Sequence, residues 1–195
     1  MGMSAEDRAK LIALARSAIK ARVTGWARAK SDVPCDADAD NGESRSETSV
    51  LSEKRGCFVT LTNAGRLRGC IGTFHPRGTL AETIVEMGAA AAVDPRFVGN
   101  PITATELRRL TVEISVLSPL AETDDPAGLE IGRDGIYVVR GAQSGCFLPE
   151  VATDMGWDAE EFLTECCVGK AGLPADAWRQ PDTKVYLFTS EKFDR

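Results

Sequence analysis

Two short runs with strand character, Cys57-Phe58-Val59-Thr60-Leu61-Thr62 and Leu67-Arg68-Gly69-Cys70-Ile71-Gly72, are separated by Asn63-Ala64-Gly65-Arg66. Asn and Gly at that place supply a tight reversal, so the spacing predicts a β-hairpin. A hairpin needs a third element to cover its apolar face, and this constrains everything that follows. Side chains alternate along a strand, so Arg68 and Cys70 are expected on one face. Leu67 and Ile71 then point into a core. Gly69 and Gly72 leave room for another backbone or a ligand to approach. A thiol beside a guanidinium on the face away from the core marks a candidate site.

The neighbouring segments supply the cover. Ser4 to about Arg28 reads as an amphipathic helix, with Ser4 and Asp7 at capping spacing and Leu11, Leu14, Ala15, Ala18, Arg22 and Trp26 near one stripe. Thr79 to Val93 reads as a second helix, capped by Thr79 and Glu82, whose Gly88-Ala89-Ala90-Ala91-Ala92 run suits close packing against a sheet. Thr103 to Leu110 predicts a short helix with a Thr103/Glu106 capping box, and Thr111 to Leu117 a strand with Val112, Ile114 and Val116 on one face and Glu113 and Ser115 on the other. Ile136–Arg140 and Gly145–Leu148 read as strands, Asp158–Val168 as a helix stopped at Gly172 and Pro174, and Lys184–Phe188 as a final strand.

Hairpins and helices without a regular βαβ series indicate an α+β fold: antiparallel β-sheet flanked by helices, in two unequal subdomains. The acidic connector Pro119–Pro126 is the expected boundary. It gives a larger subdomain over 1–120, rejoined by the C-terminal strand 183–195, and a smaller one over 121–182. Residues 31–53 read as an acidic surface loop.

With 29 acidic and 23 basic residues the formal charge is −6, which argues against bulk nucleic-acid binding. There is no apolar run of membrane-spanning length and no signal-peptide pattern, so a cytoplasmic protein is expected. Six cysteines without a C-x-x-C pair, and one histidine, make neither a disulfide scaffold nor a zinc signature. No metal is assigned, and the cofactor is left open.

Several ordered motifs together carry a family resemblance. They are Gly56-Cys57-Phe58-Val59-Thr60-Leu61, the hexapeptide, Asp94-Pro95-Arg96-Phe97, Glu113-Ile114-Ser115-Val116-Leu117, Phe147-Leu148-Pro149-Glu150-Val151 and Lys170-Ala171-Gly172-Leu173-Pro174. In this order they resemble the AMMECR domain family across nearly the whole chain. The resemblance implies an α+β fold of two unequal subdomains with a cleft beside the hexapeptide strand. It implies no defined reaction. Prokaryotic members are associated with Memo-like and radical-SAM proteins, which implies a shared modification pathway and those proteins as partners. Two departures stand out: Glu150 where the family often has Gln, and a Cys166-Cys167-Val168-Gly169 stretch one residue longer than usual.

The candidate catalytic residues are Cys70, Arg68 and Glu113. Positive charge near a thiol favours its nucleophilic form, and Glu113 is placed to orient Arg68 or act as a base. The competing reading of Cys70 is a small packed residue, and of Glu113 an ordinary solvent face. Candidate binding residues are Gly69, Gly72, His75, Arg96, Ser115, Pro149 and Glu150. An enzyme or enzyme subunit acting on an anionic small molecule or a modified polymer is one reading. A protein-binding adaptor is the other.

Overall fold

The computed structural model describes residues 2–25 and 49–195; the acidic segment, Cys35 and Trp26 lie outside the described residues. The α+β expectation holds: among the described residues four α-helices accompany two antiparallel four-stranded sheets. The chain divides into two compact units, Met1–Ser115 with Lys192–Arg195, and Val116–Glu191. The connector Pro119–Pro126, expected as the boundary, lies inside the second unit. There Ala121 and Glu122 form a short strand paired with Leu187 and Tyr186. That pairing also keeps the strand expected to rejoin the first unit in the second; only Lys192–Arg195 returns.

In the first unit the hairpin forms as the spacing predicts. Strands β1 (Cys57–Asn63) and β2 (Arg66–Thr73) are joined by Ala64 and Gly65, both at positive φ, as a tight reversal between twisted strands requires. Helix α1 (Ala5–Val23) starts at Ser4, whose hydroxyl accepts the Asp7 N–H at 3.1 Å. Its buried stripe is Leu11, Ile12, Ala15 and Ile19, whereas Arg22 of the expected stripe is exposed. Helix α2 (Leu80–Ala91) carries the full Thr79/Glu82 capping box. Strand β3 (Leu110–Leu117) completes the expected set, and β8 (Ser190–Asp194), the last part of the expected C-terminal strand 183–195, flanks it. The sheet order is β2-β1-β3-β8.

One face of β1, made of Cys57, Val59 and Leu61, is fully buried and packs with α2. Burial pushes the Cys57 thiol up to about 12, with the Glu86 charge adding to the effect, so that thiol is inert near neutral pH. Two glycines make the layers fit. A Cβ on Gly88 would sit 3.3 Å from the Ala15 carbonyl oxygen, where α1 and α2 cross. A Cβ on Gly69 would lie 2.0 Å from the Ala91 carbonyl oxygen at the end of α2. Gly69 therefore serves the approach of another backbone. So does Gly72, where a Cβ would meet the Cys57 oxygen at 2.5 Å and the Phe58 ring at 2.2 Å.

The second unit holds β4 (Ala121–Glu122), β5 (Gly135–Arg140), β6 (Gln143–Phe147) and β7 (Lys184–Phe188), in the order β4-β7-β5-β6. Helix α4 (Ala159–Cys166) begins with an Asp158/Glu161 capping box. Its Phe162 stacks on Phe147 at 5.6 Å between ring centres, and Cys166 and Cys167 are fully buried in the same core. A π-turn over Cys167–Ala171 follows, ending at Gly172 in the left-handed region. That wide turn fits an added residue into a helix, which suits the long Cys166–Gly169 stretch. A short helix missed by the sequence reading, α3 (Pro149–Met155), has Pro149 in its first turn, where a missing N–H costs nothing.

Gly69→Ala is expected to lose about 1–3 kcal/mol or more in urea unfolding, because the opposing atom is a backbone carbonyl that cannot swing away. Gly99→Ala, with open space around its Cα, should stay within about 0.5 kcal/mol of the parent. Equal effects at the two positions would contradict this packing.

Candidate functional site

The hexapeptide strand is not regular. Leu61 pairs with Gly69, but Thr62 pairs with Leu67, so Arg68 has no partner on β1 and forms a β-bulge. The extra residue reverses the alternation on its N-terminal side. Leu67 therefore leaves the core face, where the sequence reading placed it, and is 41% exposed; Ile71 is half-buried.

Arg68 is instead nearly enclosed, and it is tied to residues far along the chain. Its Nε donates to Glu106 Oε1 at 2.6 Å and its Nη2 to Glu106 Oε2 at 3.1 Å, a two-point pair with a carboxylate. Nη2 also donates to the carbonyls of Asn100 and Pro101 at 3.1 and 3.3 Å. Asn63, at the hairpin turn, donates to Glu106 Oε1 at 3.0 Å. The Arg68 guanidinium and the Asn63 amide together hold the Glu106 carboxyl at about 2, despite burial acting the other way. This corrects two expectations. Glu106 does not cap a helix at Thr103; only a single 3-10 turn, Leu107–Arg109, forms there. Glu113 does not meet Arg68 either, because β1 lies between their strands. Glu113 pairs with Lys192 on the adjacent β8 at 3.1 Å.

The charge beside Cys70 comes from Arg96. Helix α2 ends at Ala91, and Asp94 then caps a short 3-10 turn, Pro95–Phe97, with Pro95 in its first position. Asp94 is 3% exposed. It accepts the Cys70 N–H at 3.0 Å, the Arg96 N–H at 3.0 Å, and the Arg96 guanidinium through Nε at 3.0 Å and Nη2 at 2.5 Å. Nη2 also donates to the Cys70 carbonyl at 2.9 Å. The pair thus serves both backbone groups of Cys70, as a neighbouring strand would. The Arg96 guanidinium holds Asp94 far below the usual carboxylate range, against the opposing effect of burial and with help from the two amides. Arg96 is raised in return by Asp94, with Cys70 contributing.

Cys70 itself is half-buried, and its sulfur accepts a hydrogen bond from the Thr60 hydroxyl at 3.2 Å. The Arg96 side chain is 58% exposed. The site therefore presents a sulfur, a hydroxyl donor and an accessible guanidinium on one strand edge. Of the arginines that the sequence allows near Cys70, Arg66, Arg68, Arg77 and Arg96, it is Arg96 that bonds its backbone, held there by the Asp94-capped turn.

The other expected residues fall as follows. His75 is exposed on the loop after β2, its backbone N–H donating to Thr73 Oγ1 at 3.1 Å. Ser115 is buried on β3. Pro149 and Glu150 belong to α3 of the second unit. Among the described residues no cluster of three or more His, Cys, Asp or Glu is arranged to hold a metal ion.

The AMMECR1 family model matches residues 12–193. The chain belongs to the AMMECR1 family. A protein of Methanothermobacter thermautotrophicus is 38% identical over 98% of this chain and 95% of its own length. A Thermococcus kodakarensis protein is 46% identical over 74% of each. The crystal structure of an uncharacterised protein from Pyrococcus horikoshii superposes with a TM-score of 0.76 at 38% identity, covering 95% of this chain and 89% of that one. The α+β architecture of this family member is thus that of a solved relative. Among its described residues no helix is long and apolar enough to cross a membrane.

Glu106→Gln leaves the Arg68 guanidinium enclosed without a counter-charge, and a loss of about 3 kcal/mol at pH 7 is expected in urea unfolding. The folded carboxyl sits at about 2 against an ordinary 4.5, so its contribution is complete above pH 4.5 and is lost as pH falls through 2. The difference between parent and variant should accordingly shrink between those values. A difference that stays constant from pH 7 to pH 3 would contradict the pair.

Proposed function

We propose that the β2 edge at Cys70 is a thiol site that receives an anionic group against Arg96, within an enzyme or enzyme subunit of a modification pathway. One observation carries the reading: the Arg96 guanidinium is fixed across Cys70 by a buried carboxylate, yet more than half of its side chain is exposed. Five N–H donors leave some for a ligand after Asp94 and the Cys70 carbonyl are served. The ligand class is a carboxylate or phosphate on a small molecule or a modified polymer, held beside the sulfur. Arg68 supports the strand from below as a structural residue, and Glu113 is spent on Lys192. The proposed partners, Memo-like and radical-SAM proteins, follow from the family association alone.

A non-catalytic docking role is the second reading, and one feature favours it. Asp94, the carboxylate bonded to Cys70, is saturated with donors and stays ionised at neutral pH, so it is no proton shuttle. The readings separate in a pathway assay with Cys70→Ser: lost turnover with retained partner binding supports catalysis, and unchanged turnover supports docking.

The site itself is tested by comparing alkylation of Cys70 with iodoacetate, which is anionic, and iodoacetamide, which is neutral, resolved by peptide mass spectrometry. The exposed side of Arg96 should raise the iodoacetate-to-iodoacetamide rate ratio at Cys70 above that of a free thiol by about twofold, less than a lone charge gives because Asp94 offsets part of its field. Arg96→Gln should remove the excess and Arg96→Lys should keep part of it. A ratio at Cys70 that ignores Arg96 would refute the anion site.

A further inference from the structure

A second region of the first unit carries positive charge and takes no part in the Cys70 edge. It is a groove of about 440 Å³ between α1 and the segment leading into β3. Arg16, Ile19, Lys20 and Thr24 line it from α1, and Leu107, Arg108, Leu110 and Val112 from the other side. Arg16, Lys20 and Thr24 are spaced four residues apart, so they stand in one row along the helix. Their wall is cationic, the floor opposite is aliphatic, and among the described residues no acidic side chain lines the space.

The state of the cations matters. Arg16 is held: its Nη2 donates to the Leu110 carbonyl at 3.1 Å and to the Arg195 carbonyl oxygen. That contact fixes one guanidinium at the groove wall. Lys20 and Arg108 are exposed, and neither takes part in an ion pair among the described residues. A chain with a net charge of −6 has ample carboxylates to pair its cations. Around this groove two of them, Lys20 and Arg108, have no ion-pair partner among the described residues.

We infer that this groove binds a small amphipathic oxyanion, a carboxylate or phosphate head on an apolar body. Charge complementarity places the head between Lys20 and Arg108, with Arg16 adding to the field. The body covers Ala104 and Leu107, above the buried Ile19, Leu110 and Val112. The volume lies within the range of small-molecule sites, and the mix of an apolar lining with a few polar groups is their usual composition. The site is independent of Cys70, so it stands or falls apart from the function proposed above.

The test is isothermal titration calorimetry of the full-length protein with decanoate and with decyl phosphate, below their micelle concentrations. Amide shifts are followed in parallel by NMR. Saturable one-to-one binding by either probe is expected, with shifts centred on Thr24, Ala104 and Leu107 and with affinity falling as salt rises. Lys20→Glu combined with Arg108→Glu should weaken binding about tenfold or more, as loss of charged hydrogen bonds implies, while both exposed positions leave the fold intact. Inorganic phosphate, which has no body to cover the floor, should compete at least about tenfold more weakly. Absence of saturable binding by both probes, affinity unchanged in the double variant, or equal competition by inorganic phosphate would each overturn the inference.

Discussion

The buried carboxylate of Asp94 is the contact on which the hexapeptide edge depends. β2 is an outer strand of its sheet, and an outer strand presents unpaired N–H and C=O groups. At Cys70 these groups are occupied by Asp94 and Arg96, two ends of one ion pair. The carboxylate stands in for a strand carbonyl and the guanidinium for a strand N–H. Closing the edge this way leaves the guanidinium partly in solvent, where a strand would have left nothing. The device that protects the edge therefore also leaves a guanidinium accessible beside Cys70. Its position is set by α2, whose last turn must come close enough to β2 that only glycine fits at position 69.

Two arginines divide the work that the sequence suggested for one. Arg68 is the more enclosed, and its partner lies 38 residues away, so the pair ties the hairpin to the segment entering β3. Arg96 is local to its carboxylate and open to solvent. A guanidinium saturated by a carboxylate and two carbonyls is a poor ligand for anything else; one held on a single side is a good one. This difference in saturation is why the proposed function gives Arg68 a structural part and Arg96 the recognising one.

Local chemistry was legible and long-range competition was not. The Ala64-Gly65 reversal, the Thr79/Glu82 and Asp158/Glu161 capping boxes and the glycine stop at 172 follow from residues within one turn of each other. The bulge at Arg68 is hidden in the sequence because Glu106, which pairs with the bulged residue, also has the spacing of a capping residue and makes the ion pair instead of the cap. The same slip misplaced Leu67, since a one-residue shift exchanges the faces of a strand. The C-terminal strand expected over 183–195 divides into β7 and β8, a break hidden because Ser190-Glu191-Lys192-Phe193-Asp194 is almost wholly polar and pairs at the sheet margin. Helix α3 was missed because it is only seven residues long and Leu148 offers it no side-chain cap. Within the site, Cys70 and Arg96 were each in view, but the tertiary contact that joins them cannot be read from sequence spacing.

The central claim, that Asp94 and Arg96 close the strand edge over Cys70, is tested most directly by hydrogen exchange of the Cys70 amide followed by NMR. An amide donating to a buried carboxylate should exchange far more slowly than exposed loop amides. In Asp94→Ala that protection should be lost at Cys70, while the amides that face β1 keep theirs. A Cys70 amide that exchanges like an open edge in the parent protein, or that is equally protected without Asp94, would contradict the account.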